Sequence, residues 1–231
     1  MNFTYYTLSN ACGTNETGKI FPQIQKMRQG YNYDSDDSIY ALSKYLDQFP
    51  IIEPNLDYFV LNNKAKLSDF LSTSLIGSNG FLISDKVKNL FSRFNLMRHR
   101  YYPAYVCFRK NVYNYYWVHF IPDLIEKVDF ENSSFVILQN YSHKVGNINV
   151  SSLEDLIQKK ERLKLNNPKK TITIWADKIH LLPNFTKHLD LFKIGVFDTS
   201  FYISESLKNS LISNKITGCQ ISPASNILFA S

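Results

Sequence analysis

The decapeptides Phe81–Leu90, FLISDKVKNL, and Phe201–Ser210, FYISESLKNS, share the pattern F-x-I-S-acid-x-aliphatic-K-N at a separation of 120 positions. In each, a short apolar run ends at a serine, Ser84 or Ser204, and an acid follows at once, Asp85 or Glu205. Both residue types belong at a helix start. The serine hydroxyl accepts a hydrogen bond from a free N–H of the first turn, worth ~1 kcal/mol, and the acid adds ~0.3–1 kcal/mol against the positive end of the helix dipole. Behind the cap, Val87, Leu90, Phe91 and Phe94 recur at helical spacing in the first copy, and Leu207, Leu211 and Ile212 in the second. The chain then returns as an extended segment through Pro103-Ala104 or Pro223-Ala224. The pattern predicts a strand–helix–strand unit used twice, over residues 81–106 and 201–225. It argues against a serine nucleophile, because the elbow G-x-S-x-G needs glycines where Ser84 has Leu82-Ile83 and Asp85-Lys86.

Between the copies lie two alternating runs, AYVCFR from Ala104 and VYNYYWVHFI from Val112, which read as a hairpin turning at Lys110 and Asn111. One face carries Asn114, Tyr116, Val118 and Phe120, and the other Tyr113, Tyr115, Trp117, His119 and Ile121. Tyrosine and tryptophan anchor protein interfaces, so Tyr115, Trp117 and His119 are the candidate partner-binding residues, with packing in the core as the competing role. Further strands are predicted at Phe3–Leu8, Asp57–Leu61, Ser134–Gln139 (after a turn at 129–133), Thr171–Ala176 and near the C-terminus, at CQISPA or ILFA. Helices are predicted at three further places. In SIYALSKYLDQF, Asp36 or Asp37 is the cap and Leu42, Tyr45, Leu46 and Phe49 form the stripe; a short one follows Ser68; and in SSLEDLIQKKERL, Ser151 and Glu154 form a capping box with Leu153, Leu156 and Ile157 inward. Strands and helices mix without a βαβ rhythm. The expected fold is therefore α+β, with a mixed, largely antiparallel sheet, packed helices and the internal repeat. Residues 1–56 are expected to be an N-terminal segment packed on a main domain of residues 57–231.

With 231 residues, 44% of them hydrophobic, the chain is long enough for a substantial core. No window reaches the roughly 18 apolar residues of a membrane span and the N-terminus has no signal-peptide pattern, so a soluble protein is expected. Three cysteines without a C-x-x-C pair argue against a disulfide framework or zinc site and fit a reducing compartment. The aspartates of YNYDSDDS lack the glycine and glutamate of a calcium loop, and no H-E-x-x-H or glycine-rich phosphate loop occurs. No catalytic, cofactor or metal residues are assigned. Net charge is +6, and KKERLKLNNPKK, Lys159–Lys170, sets six bases against Glu161 alone. A solvated helix end explains that run, and nucleic-acid binding is its functional alternative, although no aromatic residue is interleaved to stack on bases.

The segments LSDFLSTS (67–74), FLISDKVKNLFSRFNLMRHRYYPAYV (81–106), YYWVHFIPDLIEKVDFENSSF (115–135) and LFKIGVFDTSFYISESLKNSLISNKITGCQIS (191–222), in this order, resemble a family of bacterial immunity proteins. The family is numbered eleven among those of polymorphic toxin systems and was formerly a domain of unknown function. The resemblance runs from Asp57 to Ile221; the basic run and YNYDSDDS lie outside it. It implies a non-enzymatic cytoplasmic protein that binds and neutralises a cognate toxin of contact-dependent or type VI secretion, encoded by a neighbouring gene. It carries over no catalytic residue: the matching positions Ser84, Asp85, Ser204, Glu205 and Gly218 are caps and turns. A chain of this charge is a poor mimic of a phosphate backbone, so the toxin is expected to be acidic at its contact surface and to act on something other than nucleic acid. The competing classes are a nucleic-acid binder using residues 159–170 and an enzyme with a pocket around Arg98, His119 or Asp177.

Overall fold

The computed structural model describes residues 4–44, 47–77, 79–185 and 188–229. Along the chain run β1 (Tyr5–Asn10), β2 (Ile24–Met27), α1 (Tyr40–Lys44), β3 (Asp57–Leu61), β4 (Phe70–Leu71), β5 (Gly80–Ser84), α2 (Asp85–Phe91), β6 (His99–Phe108) and β7 (Asn111–Phe120). Then follow β8 (Val128–Gln139), β9 (His143–Ile148), α3 (Leu153–Asn166), β10 (Ile172–Leu181), β11 (Leu191–Phe192), β12 (Phe201–Ser204), α4 (Glu205–Ser213), β13 (Cys219–Pro223) and β14 (Ile227–Phe229). The fold is α+β with three largely antiparallel sheets, ordered β2-β3-β6-β7-β5-β4, β11-β12-β1-β13 and β14-β10-β8-β9.

The chain forms two compact units. One comprises Met1–Pro122, His188–Phe192 and Phe201–Ser222, and the other Asp123–Lys187, Lys193–Ser200 and Pro223–Ser231. This replaces the expected division at residues 56 and 57. The N-terminal segment is not an appendage, because β1 lies inside the second sheet between β12 and β13. The residues around Ser134–Gln139 form a sheet of their own with β9, β10 and β14.

In the first unit the repeat is larger than its sequence signature. Strands β4-β5-β7-β6 of the first copy correspond in order to β11-β12-β1-β13 of the second. In the first copy β7 follows β6 through a tight hairpin, whereas the second copy takes the matching strand from the other end of the chain. Registers agree: Ser84 faces Tyr115 and Ile83 faces Tyr116, as Ser204 faces Tyr5 and Ile203 faces Tyr6. Lys88 Nζ lies 3.7 Å from the centre of the Tyr116 ring and Lys208 Nζ 3.9 Å from that of Tyr6.

Both serine caps form as expected, Ser84 accepting from Val87 N–H and Ser204 from Leu207 N–H. Each serine hydroxyl in turn donates to an aspartate one residue ahead of a two-residue strand, Ser84 to Asp69 at 2.8 Å and Ser204 to Asp190 at 2.6 Å. The second oxygen of each aspartate crosses to the opposite copy. Asp69 accepts from the backbone N–H and hydroxyl of Thr217, both at 3.0 Å, just beyond α4. Asp190 accepts from the N–H of Asn95 at 2.9 Å, just beyond α2. The Phe81 and Phe201 rings meet between the copies with centroids 4.5 Å apart, and Phe120 lies against both.

Several local expectations change. The residues after Ser68 form β4 rather than a helix: Ser68 Oγ donates to the Phe70 carbonyl at 2.7 Å, and β4 pairs with β5. Phe94 falls beyond α2, and Ile212 is exposed, leaving Val87, Leu90 and Phe91 to bury α2, and Leu207 and Leu211 to bury α4. Leu42 is buried in α1 as expected, while Tyr45 and Leu46 lie outside the described residues. Residues 129–133, expected to turn, continue β8, and both C-terminal strand candidates form, as β13 and β14. The buried Gln23 ties the N-terminal segment to the first copy, accepting from Ser72 N–H at 3.0 Å and donating to the Lys66 carbonyl at 2.9 Å.

Replacing Asp69 by Ala leaves the hydroxyls of Ser84 and Thr217 and one backbone N–H without their charged acceptor. The expected loss is about 3 kcal/mol of unfolding free energy, since hydrogen bonds to charged groups contribute ~1.5–3 kcal/mol each and partial solvent access returns some of it. Glu205→Ala, at an exposed first-turn acid, is expected to cost under ~1 kcal/mol. Urea titrations of the two variants compare them directly, and equal losses refute the clasp.

Candidate partner interface

The three residues proposed from sequence as partner anchors are core residues. Tyr115, Trp117 and His119 expose 6%, 3% and 0% of their surface. Tyr115 and Trp117 pack in a cluster with Leu42, Phe59, Leu82 and Tyr102. The opposite face is closed as well, with Val118 and Phe120 fully buried, because β7 is an interior strand covered on both sides over its second half. The Tyr115 hydroxyl donates to the Ser68 carbonyl at 2.8 Å, as that of Tyr5 does to Leu189 at 3.3 Å. Burial pushes the Tyr5 phenol up to about 12, reinforced by Asp190. Of the residues suggested for an enzyme pocket, Arg98 and His119 lie in the first unit and Asp177, exposed on β10, in the second.

The second unit is built mostly from the chain between the two copies, completed by β14 from beyond the second copy, and its outward chemistry is concentrated on α3. The helix starts one residue later than the capping box predicts. Ser152 is the N-cap, accepting from Asp155 N–H at 3.1 Å, while Asp155 accepts from Ser151 N–H at 2.9 Å. Those bonds and Lys159 hold the Asp155 carboxyl below the usual carboxylate range, the lysine first among the causes. Only Leu156 of α3 is fully buried, against a prediction that Leu153 and Ile157 join it. Ile157 is 46% exposed and Leu165 78%.

The basic run divides by task. Lys159 Nζ binds Asp155 at 2.7 Å and the Asn149 carbonyl at 2.8 Å, and Lys160 Nζ donates to the Val196 carbonyl at 2.8 Å. Burial lowers Lys160 from the ordinary lysine value. Arg162, Lys164, Lys169 and Lys170 are exposed, and among the described residues none has a carboxylate within ion-pairing distance. The other end of the unit is acidic: an open cleft of about 610 Å³ beside the start of α3 is lined by Glu126, Asp129, Glu131, Phe130, Leu153 and Leu182. Asp129 is held there by the side chain and N–H of Asn132, which keep it below the usual carboxylate range.

Phe197 packs on Phe130 and Phe135 of β8 at centroid distances of 5.8 and 5.3 Å. The same loop buries Lys193, whose Nζ donates to the Thr199 carbonyl at 2.8 Å. Among the described residues no group of three His, Cys, Asp or Glu is placed to hold a metal ion, and no helix is long and apolar enough to cross a membrane. Compared with known proteins, the chain matches no family model and no curated sequence.

Sequence reading missed Asp69 and Asp190 because the tetrapeptides around them, SDFL and LDLF, share only the aspartate in register and lie 121 rather than 120 positions apart, so the 120-residue repeat alone does not align them. It also missed the split of the basic run, which depends on where Asp155 and Val196 sit in space.

Ser152→Ala is expected to lower stability by ~1 kcal/mol, and Ser151→Ala by clearly less, in thermal or urea unfolding followed through the second unit. A larger loss at Ser151 would restore the cap to the position expected from sequence. Burial pulls the Lys193 ammonium down to about 8, opposed by Asp198. Between that value and the ordinary lysine value the unfolded chain binds the additional proton, so the contribution of this group to stability rises with pH. Wild type is therefore expected to become more stable relative to Lys193→Met from about pH 7 to about pH 10; a difference that stays constant rejects the assignment.

Proposed function

We propose that this chain is a non-enzymatic immunity protein that binds and neutralises a cognate secreted bacterial toxin in the cytoplasm. The toxin would be delivered by contact-dependent or type VI secretion and encoded by a neighbouring gene. The observation that carries the reading is the division of labour in the fold. The residues of the repeated motif, Ser84, Asp85, Ser204 and Glu205, serve helix starts and the clasp, while the segment between the copies presents an acidic end and a basic end to solvent. The ordered resemblance to immunity proteins of polymorphic toxin systems supports the same role. With a net charge of +6 and four exposed bases on one helix and its following turn, the partner is expected to be acidic at the contact and to act on something other than nucleic acid.

The test is co-expression with the C-terminal domain of the secreted protein encoded next to this gene. That domain alone is expected to arrest growth of a bacterial host, and this protein to restore growth and co-purify with it. Arrest that persists despite abundant folded protein, with no complex, overturns the proposal. A second reading rests on the same four bases: binding of single-stranded nucleic acid. It predicts affinity for a mixed-sequence oligonucleotide that falls steeply with salt, whereas the immunity reading predicts weak oligonucleotide binding at physiological salt.

A further inference from the structure

Helix α3 is longer than its own packing requires. Fourteen residues span about 21 Å at 1.5 Å per residue, yet the only fully buried one is Leu156, in the first turn. At about 100° per residue, Leu165 lies half a turn around the helix from Leu156, and so at the centre of the face turned away from the sheet. It is 78% exposed there, with Glu161 one turn back on the same side and Ile157, 46% exposed, about 80° around the helix at the edge of this face. Arg162 and Lys164 flank Leu165 on either side, and Lys169 and Lys170 follow in the turn toward β10, all four exposed.

An apolar centre with a basic rim is the anatomy of a protein interface. It differs from a single-strand platform, which needs aromatic rings to stack on bases, and residues 157–170 contain none. We propose that this face of α3, centred on Leu165 and rimmed by Arg162, Lys164, Lys169 and Lys170, is the surface that docks the toxin, against an acidic patch with an apolar depression at its middle. The assignment rests on the immunity reading and adds to it the surface and the chemistry of the partner.

The geometry makes the parts separable. Leu165 would contribute mainly to how slowly the complex dissociates, and the four charges to how fast it forms. Because Leu165 and the rim bases are exposed, replacing them leaves the buried Leu156 contact, the Ser152 cap and the Lys159–Asp155 pair intact.

The experiment measures binding of the neighbour-encoded toxin domain, rendered inactive for purification, to four forms of this full chain: wild type, Leu165→Asp, the double variant Arg162→Glu/Lys164→Glu, and Ile212→Asp. The last places a charge at an exposed leucine-sized site on α4, 62% exposed, and is the control. Leu165→Asp is expected to weaken binding by ~30-fold or more, the level of an interface hot spot. The double reversal is expected to slow association by ~10-fold at low salt and flatten its salt dependence, with Ile212→Asp unchanged. A wild-type complex that Leu165→Asp and the double reversal leave intact overturns this surface and leaves the immunity reading standing. No complex with wild type overturns both. Two further results overturn the surface assignment: an oligonucleotide affinity that the double reversal abolishes while toxin binding persists, and a wild-type dimer in sedimentation that Leu165→Asp dissolves without affecting the toxin.

Discussion

Two aspartates hold the duplicated unit together. Asp69 and Asp190 each accept from the capping serine of their own copy and from the chain just past the helix of the other, so neither helix is anchored at both ends by its own copy. That matters because the helices are short. Seven residues in α2 and nine in α4 are far below the ~12–15 at which an isolated helix becomes marginally stable in water. The cap at one end satisfies one of the first N–H groups that a short helix leaves open, and the charged tether past the other end fixes the path of the chain as it leaves the last turn. The Phe81–Phe201 contact then fills the space that the two tethers close.

The same arrangement binds the ends of the chain into the core. Because β1 completes the second copy, the register Tyr5 to Ser204 and the Thr7 hydroxyl bond to the Ser222 carbonyl form only when both termini are present. Contacts over such separations carry a large loop-closure cost before any packing returns it, which favours a slow, cooperative assembly of this unit over independent folding of the two copies. Residues 123–187, by contrast, build most of their sheet through nearer pairings, β8 with β9 and β8 with β10, and only β14 on β10 comes from far along the chain.

What the sequence made legible follows from this distinction between local and distant causes. The caps at Ser84 and Ser204, the hairpin of β6 and β7 and the alternation of β10 are written within a few residues and could be read. Ser151 and Ser152 each have an acid three positions on, Glu154 and Asp155, so the pattern alone was degenerate and only the geometry chose Ser152. Ser68 looked like a helix cap because serine followed by aspartate is a common helix start. Here Asp69 is tethering Thr217 instead, a partner 148 residues away that no local pattern contains. Tyr115, Trp117 and His119 were read as one face of an amphipathic strand. Alternation names two faces without saying which is wet, and here both are covered. The outward face of α3 was hidden for a related reason: helical spacing placed Ile157 with Leu156, and only the packing on β10 shows that the buried stripe is narrower.

The charges of α3 have two candidate explanations of different strength. Bases near a helix C-terminus gain ~0.3–1 kcal/mol each from the dipole and are common there without any partner. That accounts for Arg162 and Lys164, and the local bonds account for Lys159 and Lys160. It does not account for Leu165. An exposed leucine gains nothing from the dipole, and its exposure on the face opposite Leu156 sets aside apolar area that burial would stabilise by about 1.5–3 kcal/mol. A single exposed apolar residue is ordinary, but one centred between flanking bases, with Ile157 at the edge of the same face of a helix that buries only Leu156, has the layout of an interface core and rim. The discriminating feature on this surface is therefore the leucine rather than the lysines.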